Sequence, residues 1–350
     1  MEKQTGRLLS LDVMRGIIMI LLAAESCHVY ESIKEWHDGS LITQFFHHPW
    51  HGLRFWDLVQ PSFMFMAGTA MYISYARKQE KGSSWAQNFK HIAIRSLKLF
   101  LLGTGLHCVY AGKLVWELWN VLTQLSVTGI IAYLVIGRSF SFQITTGFLL
   151  LILNDVLYRT ILVPGFDQPF VEYHNFGAYM DTLLMGKINP DGWVAINIIP
   201  TAAHTIWGVV AGKLFLTPMD STLKTGILAI AGAVLLCLGF GADISGLSPI
   251  IKRISTAGFV LASAGWVLLI LSVLYWWIDV KNHQRYTWIA GVVGMNAIFI
   301  YLFFETVGMQ WLNGVVDIFM PVGIVSALGA LVLEWYLCYW LYQKKIFFKL

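Results

Sequence analysis

The chain has 350 residues, 57% of them hydrophobic and 13% charged, with a mean hydropathy of +0.64. A soluble domain carries charge on roughly a quarter of its residues, so this composition excludes a soluble globular protein. The net charge of +4 is modest and gives nucleic-acid binding no support.

Apolar runs close to the ~20 residues that span hydrocarbon recur at 11–28, 58–76, 92–111, 118–136, 142–158, 197–215, 225–241, 255–278, 287–306 and 321–342. They predict an all-α, polytopic helical bundle of about ten transmembrane helices, its partner the lipid bilayer. No polar block is long enough to fold by itself, so residues 1–350 read as a single domain. The first run contains Glu25 and no small-residue cleavage site, which predicts that it is retained. With the N-terminus inside, 17 of the Lys and Arg residues fall on one side and 7 on the other. That bias places both termini in the cytoplasm and puts residues 44–61 on the outer face. The connection from 159 to 197 is also external, and its Pro, Gly and Asn residues mark turns around a short helix expected near 177–185. Cys27, Cys108, Cys237 and Cys338 are scattered without a ligand spacing and read as small hydrophobes.

Ionisable groups at membrane depth are costly unless they face a cavity or a partner. Asp12 and Arg15, three apart on the first helix, share a face, either as a structural pair or as an anion site. Glu25 lies toward the outer end of the same helix. The densest cluster is residues 44–61, QFFHHPWHGLRFWDLVQP, with His47, His48, His51, Trp50, Trp56, Arg54 and Asp57. His47 and His51 would share a helical face and suit a zinc pair, but Pro49 argues against that helix and no second ligand cluster accompanies them, so no metal is expected. A histidine with a near-neutral pKa suits proton transfer or acyl capture; the competing reading is an interfacial aromatic belt.

Further along, Asn120 and Gln124 open the fourth helix. His204 lies in the sixth, where a packing hydrogen bond competes with a binding role, and His107 is read the same way. In the ninth, Asn296 sits near mid-membrane and Glu305 near the outer end; the amide is either helix glue or a ligand contact in a dry cavity. The glycines at 67–70 and 208–212 read as packing. Neither a phosphate-binding GxxxxGK[ST] loop nor a GxSxG nucleophile elbow occurs. Lys78, Lys81, Lys90, Arg95 and Lys98 form the densest basic cluster, at the cytoplasmic mouth.

In this order and spacing the motifs resemble the transmembrane acyltransferases related to heparan-α-glucosaminide N-acetyltransferase, in particular a bacterial branch classed by a domain of unknown function. The resemblance rests on RLLSLDVMRG and MILLAAE, on the H-x-x-W-x-G pattern at 47–52, and on Asp57-Leu58-Val59-Gln60-Pro61 with the continuation at 63–68. Segments 189–192, 208–213, 276–280 and 294–297 with Tyr301 extend it over nearly the whole chain. The chain departs from the lysosomal members at Glu25-Ser26, where they have asparagine, and at Thr123-Gln124, where they have Gln-Arg.

The resemblance implies acetyl-CoA as acyl donor, an amino sugar or other small-molecule glycan as acceptor, and a catalytic histidine carried over onto His47. It also implies location in a bacterial inner membrane. On this reading His47 is general base or acyl carrier, Asp57 orients it, and Glu25 joins the catalytic set. Trp50, His51, Arg15, Asp12, Gln124, Asn296, Glu305 and His204 are the expected binding residues, and a homodimer is compatible with exposed apolar surface. The alternative is a proton-coupled transporter or flippase, with Glu25, His47, Asp57 and Glu305 as its relay and an inverted repeat with broken helices as its mark.

Overall fold

The structure, a computed structural model, describes residues 8–36 and 39–348. They form helices α1 Leu9–Ser26, α2 Val29–Trp36, α3 Val59–Glu80, α4 Trp85–Ala111, α5 Val121–Leu134, α6 Phe140–Thr160, α7 Phe176–Met185, α8 Ile198–Phe215, α9 Ser221–Ile244, α10 Ala257–Leu274, α11 Thr287–Met295, α12 Ala297–Phe303, α13 Asn313–Phe319 and α14 Gly323–Gln343. Among the described residues the extended pairings are two isolated bridges, with no strand. Among the described residues each expected span overlaps a helix. Six are long and apolar enough to cross a membrane, and a seventh is a bent pair. α1 falls outside that set because Asp12, Arg15 and Glu25 lie on it, and α3 because both its ends are polar; α5 has only 14 residues. The opening MEKQTGR lies outside the described residues.

The chain divides into two compact units, Met1–Phe46 with Ile270–Leu350, and His47–Leu269. In the second unit, α8 is the axis. Fourteen of its residues are buried, and α3, α5 and α6 pack on it. A Cβ added at Gly68 would stand 1.9 Å from the Thr205 carbonyl oxygen, and one at Gly208 2.0 Å from that of Phe65, so only glycine lets these two backbones touch. Thr69 Oγ1 donates across the gap to the Gly208 carbonyl at 3.0 Å. The glycines read from sequence as packing residues are the α3–α8 seam. The expected short helix is α7, started by Asn175, whose side chain accepts from Ala178 N at 3.1 Å, and ended by Gly186 in the left-handed region.

In the first unit, α1 and α11 meet in the same way. A Cβ on Gly16 would lie 1.8 Å from the Ala290 oxygen, and one on Gly294 2.2 Å from that of Asp12. Asp279 caps α1, accepting from Leu9 N at 3.0 Å and Ser10 N at 3.1 Å, which satisfies two of the donors a helix start leaves open. The ninth expected span is broken: Thr287–Met295 and Ala297–Phe319 diverge by 76° at Asn296.

Candidate active site at His47

Proline and glycine keep 47–52 out of a helix, and a short 3-10 turn, Phe55–Leu58, follows. Asp57 is its third residue and is 1% exposed. Its Oδ2 accepts from Arg54 N at 2.8 Å, closing the turn, and from His48 N at 3.4 Å. Oδ1 is left for the site and lies 3.2 Å from His47 Nδ1. Arg54 Nη1 donates to the His47 carbonyl at 3.0 Å, which fixes the backbone beneath the ring.

Two other segments complete the site. The turn Asn189-Pro190-Asp191-Gly192 is closed by Asp191 N donating to Asn189 Oδ1 at 2.8 Å and Gly192 N to the Asn189 carbonyl at 3.0 Å. It delivers Trp193, whose indole meets the His47 ring edge-on at 5.7 Å. From the far side, Gly52 N donates to the Ile250 carbonyl at 2.8 Å, and His51 bridges Ile251 in antiparallel fashion. Lys252 follows at once. It is 5% exposed, with Nζ 3.0 Å from His47 Nδ1, 3.4 Å from Asp57 Oδ1 and 5.3 Å from the Trp193 ring centre. Its turn is held by Ser255 N donating to the Lys252 carbonyl at 2.9 Å and by Asn197 Nδ2 donating to that of Arg253 at 2.6 Å. Arg253 pairs with Glu172 at 2.7 Å.

The electrostatics follow from this packing. Desolvation pushes the Asp57 carboxyl up, but the hydrogen bond from His47, the charge of Lys252 and the Arg54 amide outweigh it, so the carboxyl sits below its ordinary range. The His47 imidazole sits below its ordinary pKa, through desolvation first and the Lys252 charge second, against the pull of Asp57. Its side chain remains 40% accessible, so solutes can reach the ring. The arrangement is a neutral imidazole on an ionised carboxylate, suited to accepting a proton at Nε2 or forming a bond there.

The other residues singled out from the sequence are distributed as follows. Trp50 donates from Nε1 to the Phe170 carbonyl at 2.8 Å and packs against Tyr158, Phe176 and Ile251, buttressing the loop. His51 leaves His47 and pairs through Nε2 with Asp243 at 2.6 Å, so the zinc-pair geometry does not form. Gln124 is buried and hydrogen bonded to Gln60, one turn beyond Asp57. His204 is sealed in the core with Nε2 3.0 Å from Ser263 Oγ, a contact between α8 and α10. His107 pairs with Glu117 at 2.7 Å.

Asp12, Arg15, Glu25, Asn296 and Glu305 belong to the other compact unit. Asp12 and Arg15 pair at 3.4 Å. Glu25 is half-buried on α1, and Glu305 half-buried in the π-helical segment Phe304–Leu312. Asn296 is fully buried, and its amide is taken by the chain's own tail, donating to the Ile346 carbonyl and accepting from Phe348 N, both at 3.0 Å.

Sequence reasoning missed Lys252 and Trp193. Trp193 stood in a segment read only as a turn, and Lys252 and Arg253 counted only as charges. The available signal was their position, two adjacent cations on the face poor in positive charge, where the topology bias gives no reason for them.

A helical bundle with several spans of this kind is a multi-pass membrane protein. Residues 7–243 match the family profile described as heparan-alpha-glucosaminide N-acetyltransferase, catalytic, which is well over half of the chain, and the protein belongs to that family. It is 26% identical to the human heparan-alpha-glucosaminide N-acetyltransferase over an alignment covering 98% of this chain and 60% of the relative. To the mouse protein of the same name it is 24% identical, covering 100% and 61%. The chain thus spans about three fifths of the length of these curated relatives.

Proposed function

We propose that the protein is a bacterial inner-membrane acetyltransferase that moves an acetyl group from acetyl-CoA to an amino sugar or another glycan acceptor. The observation that carries this is the contact between His47 Nδ1 and the buried Asp57 carboxylate, within the segment matched to the family. An ionised Asp57 accepts from Nδ1–H and leaves Nε2 with its lone pair. Nε2 takes the acceptor's proton as its nitrogen or oxygen attacks the thioester carbonyl. The new bond to the acyl carbon forms, the C–S bond breaks, and the proton passes to the departing thiolate. General-base catalysis of this kind is worth ~10²–10⁴-fold. The alternative role, transient acylation of Nε2, uses the same geometry.

Ten spans with both termini cytoplasmic belong to this reading. They would set His47 on the outer face, opposite the side where acyl-CoA is made, so that the bundle joins donor and glycan. The residues around His47 suit the thioester end of the donor: an accessible ring edge beside an indole face. A homodimer is the expected assembly in the same proposal. The transporter reading has the break at Asn296 in its favour, but the amide there binds backbone of the chain itself.

The test is transfer from labelled acetyl-CoA to a panel of amino sugars by the purified protein, wild type against His47→Ala. Transfer by wild type, reduced at least a hundredfold in the variant, is expected. Undiminished transfer in the variant removes His47 from the mechanism, and no transfer or coenzyme binding by either protein overturns the enzyme reading.

A further inference from the structure

Lys252 lies beyond residue 243, where the family match ends. A buried ammonium is expensive unless it is paired, and Asp57 Oδ1 at 3.4 Å supplies a partner. Charge pairing alone does not require the closer approach to His47 Nδ1, 3.0 Å, or the indole face of Trp193 on another side. Three atoms, Nδ1, Oδ1 and Nζ, therefore form a closed triangle of 3.2, 3.4 and 3.0 Å.

The hydrogens have limited freedom in that triangle. An Nδ1–H and an ammonium N–H cannot both lie along the short line between the two nitrogens. The one anionic corner is Oδ1, so both donors turn toward it and a second ammonium hydrogen faces the indole π-system. With the ring hydrogen on Nδ1 and donated to Oδ1, the ammonium 3.0 Å away stands beside the imidazole as a fixed positive charge.

We propose that Lys252 is a positioning residue for His47: held by the Asp57 carboxylate and the Trp193 face, its ammonium opposes the imidazolium, while Asp57 holds the ring hydrogen on Nδ1, so that Nε2 stays open. The proposal rests on the reading of His47 as the base. The groups facing His47 are Asp57, Lys252 and Arg253, the last tied to Glu172, with Arg54 on the His47 carbonyl and the neutral rings of Trp56 and Trp193. Lys252 and Arg253 both act against a second proton on the ring, and Asp57 acts for it. In the transfer step this matters twice. The free base is present at the start, and the imidazolium formed when Nε2 takes the acceptor's proton is pressed to give it to the thiolate.

The test reads His47 without turnover. Diethylpyrocarbonate acylates only unprotonated imidazole, so its rate at His47, followed by mass spectrometry of the His47 peptide in purified full-length protein across pH, gives the ring's titration midpoint. Wild type and Lys252→Arg are expected to titrate below free histidine in the same buffer, and Lys252→Met to titrate higher by about one pH unit or more. A wild-type midpoint at or above that of free histidine overturns the proposal, as does an unchanged midpoint in Lys252→Met. Where Lys252→Met does not accumulate, Lys252→Gln gives the same comparison, with the same expected rise and the same overturning result. Because no acetyl transfer is measured, failure here is separate from failure of the enzyme reading. Where transfer is measured, the acid limb of kcat/KM should move with the same midpoint, a shift that a merely structural lysine would not produce.

Discussion

The backbone N–H of Gly52 donates to the carbonyl oxygen of Ile250 at 2.8 Å, and this bond sets the loop that carries His47 against the turn that carries Lys252. The two segments are about two hundred residues apart in the chain, and each side of the site depends on the other for its position. Gly52 can make the bond because its φ is +132°, a conformation open to glycine.

Gly52→Ala should therefore damage the site more than its size suggests. The conformation costs on the order of 1–3 kcal/mol for a residue with a side chain, and the new Cβ would stand 2.6 Å from His48 Nε2. Reduced stability in denaturant titration together with faster carbethoxylation of His48, freed from its seat, is the expected pair of results. A variant with wild-type stability and wild-type His48 reactivity would show that the loop tolerates another path.

Asp57→Asn removes the counter-charge of a buried lysine. Breaking such a pair from one side costs about 3–5 kcal/mol, so the variant should melt well below wild type at neutral pH. The folded-state pKa of Asp57 is depressed, so its contribution is present above the unfolded value of about 3.9 and is lost as pH falls through the folded one. Thermal melts in detergent should show the difference between the two proteins narrowing on strong acidification. A constant difference down to the lowest pH that can be studied would argue against the pairing.

Asp181 carries the opposite sign. It is fully buried on α7, accepting from Trp119 Nε1 at 2.7 Å and Ala195 N at 2.9 Å, and burial pushes its carboxyl up to about 6 against those two donors. A raised folded-state pKa gives stability that is complete below the unfolded value and lost as pH rises through about 6. Asp181→Asn, neutral at every pH, should flatten stability between pH ~4 and ~6, read from melting temperatures of the two proteins. An unchanged slope in the variant would assign that dependence to other groups.

Asn296→Ala should free the C-terminal segment. Hydrogen exchange at Phe348 N, which donates to Asn296 Oδ1 at 3.0 Å, is expected to lose protection while α11 keeps its own. Equal protection in both proteins would mean that packing of Phe348 on Phe299, 4.7 Å between ring centres, holds the tail unaided.

Hydropathy alone determined that the chain is helical and bilayer-sized, because a backbone in hydrocarbon must satisfy its own hydrogen bonds and needs a fixed length to do so. Local chemistry was equally legible where it depended on neighbours in sequence: the short helix α7, the packing glycines of α3 and α8, and His47 with Asp57 ten residues on. The fates of Asn296 and His51 were not legible, since Ile346 and Asp243 reach them only through folding. Lys252 and Trp193 were legible only as a charge and as part of a turn. The folded chain brings them to His47 because the bridge between 51 and 251 fixes one approach and the 189–193 turn the other. Sequence thus supplied His47 and its carboxylate. The cation 3.0 Å from the ring came from tertiary structure, where a long-range contact costs chain entropy that no local pattern records.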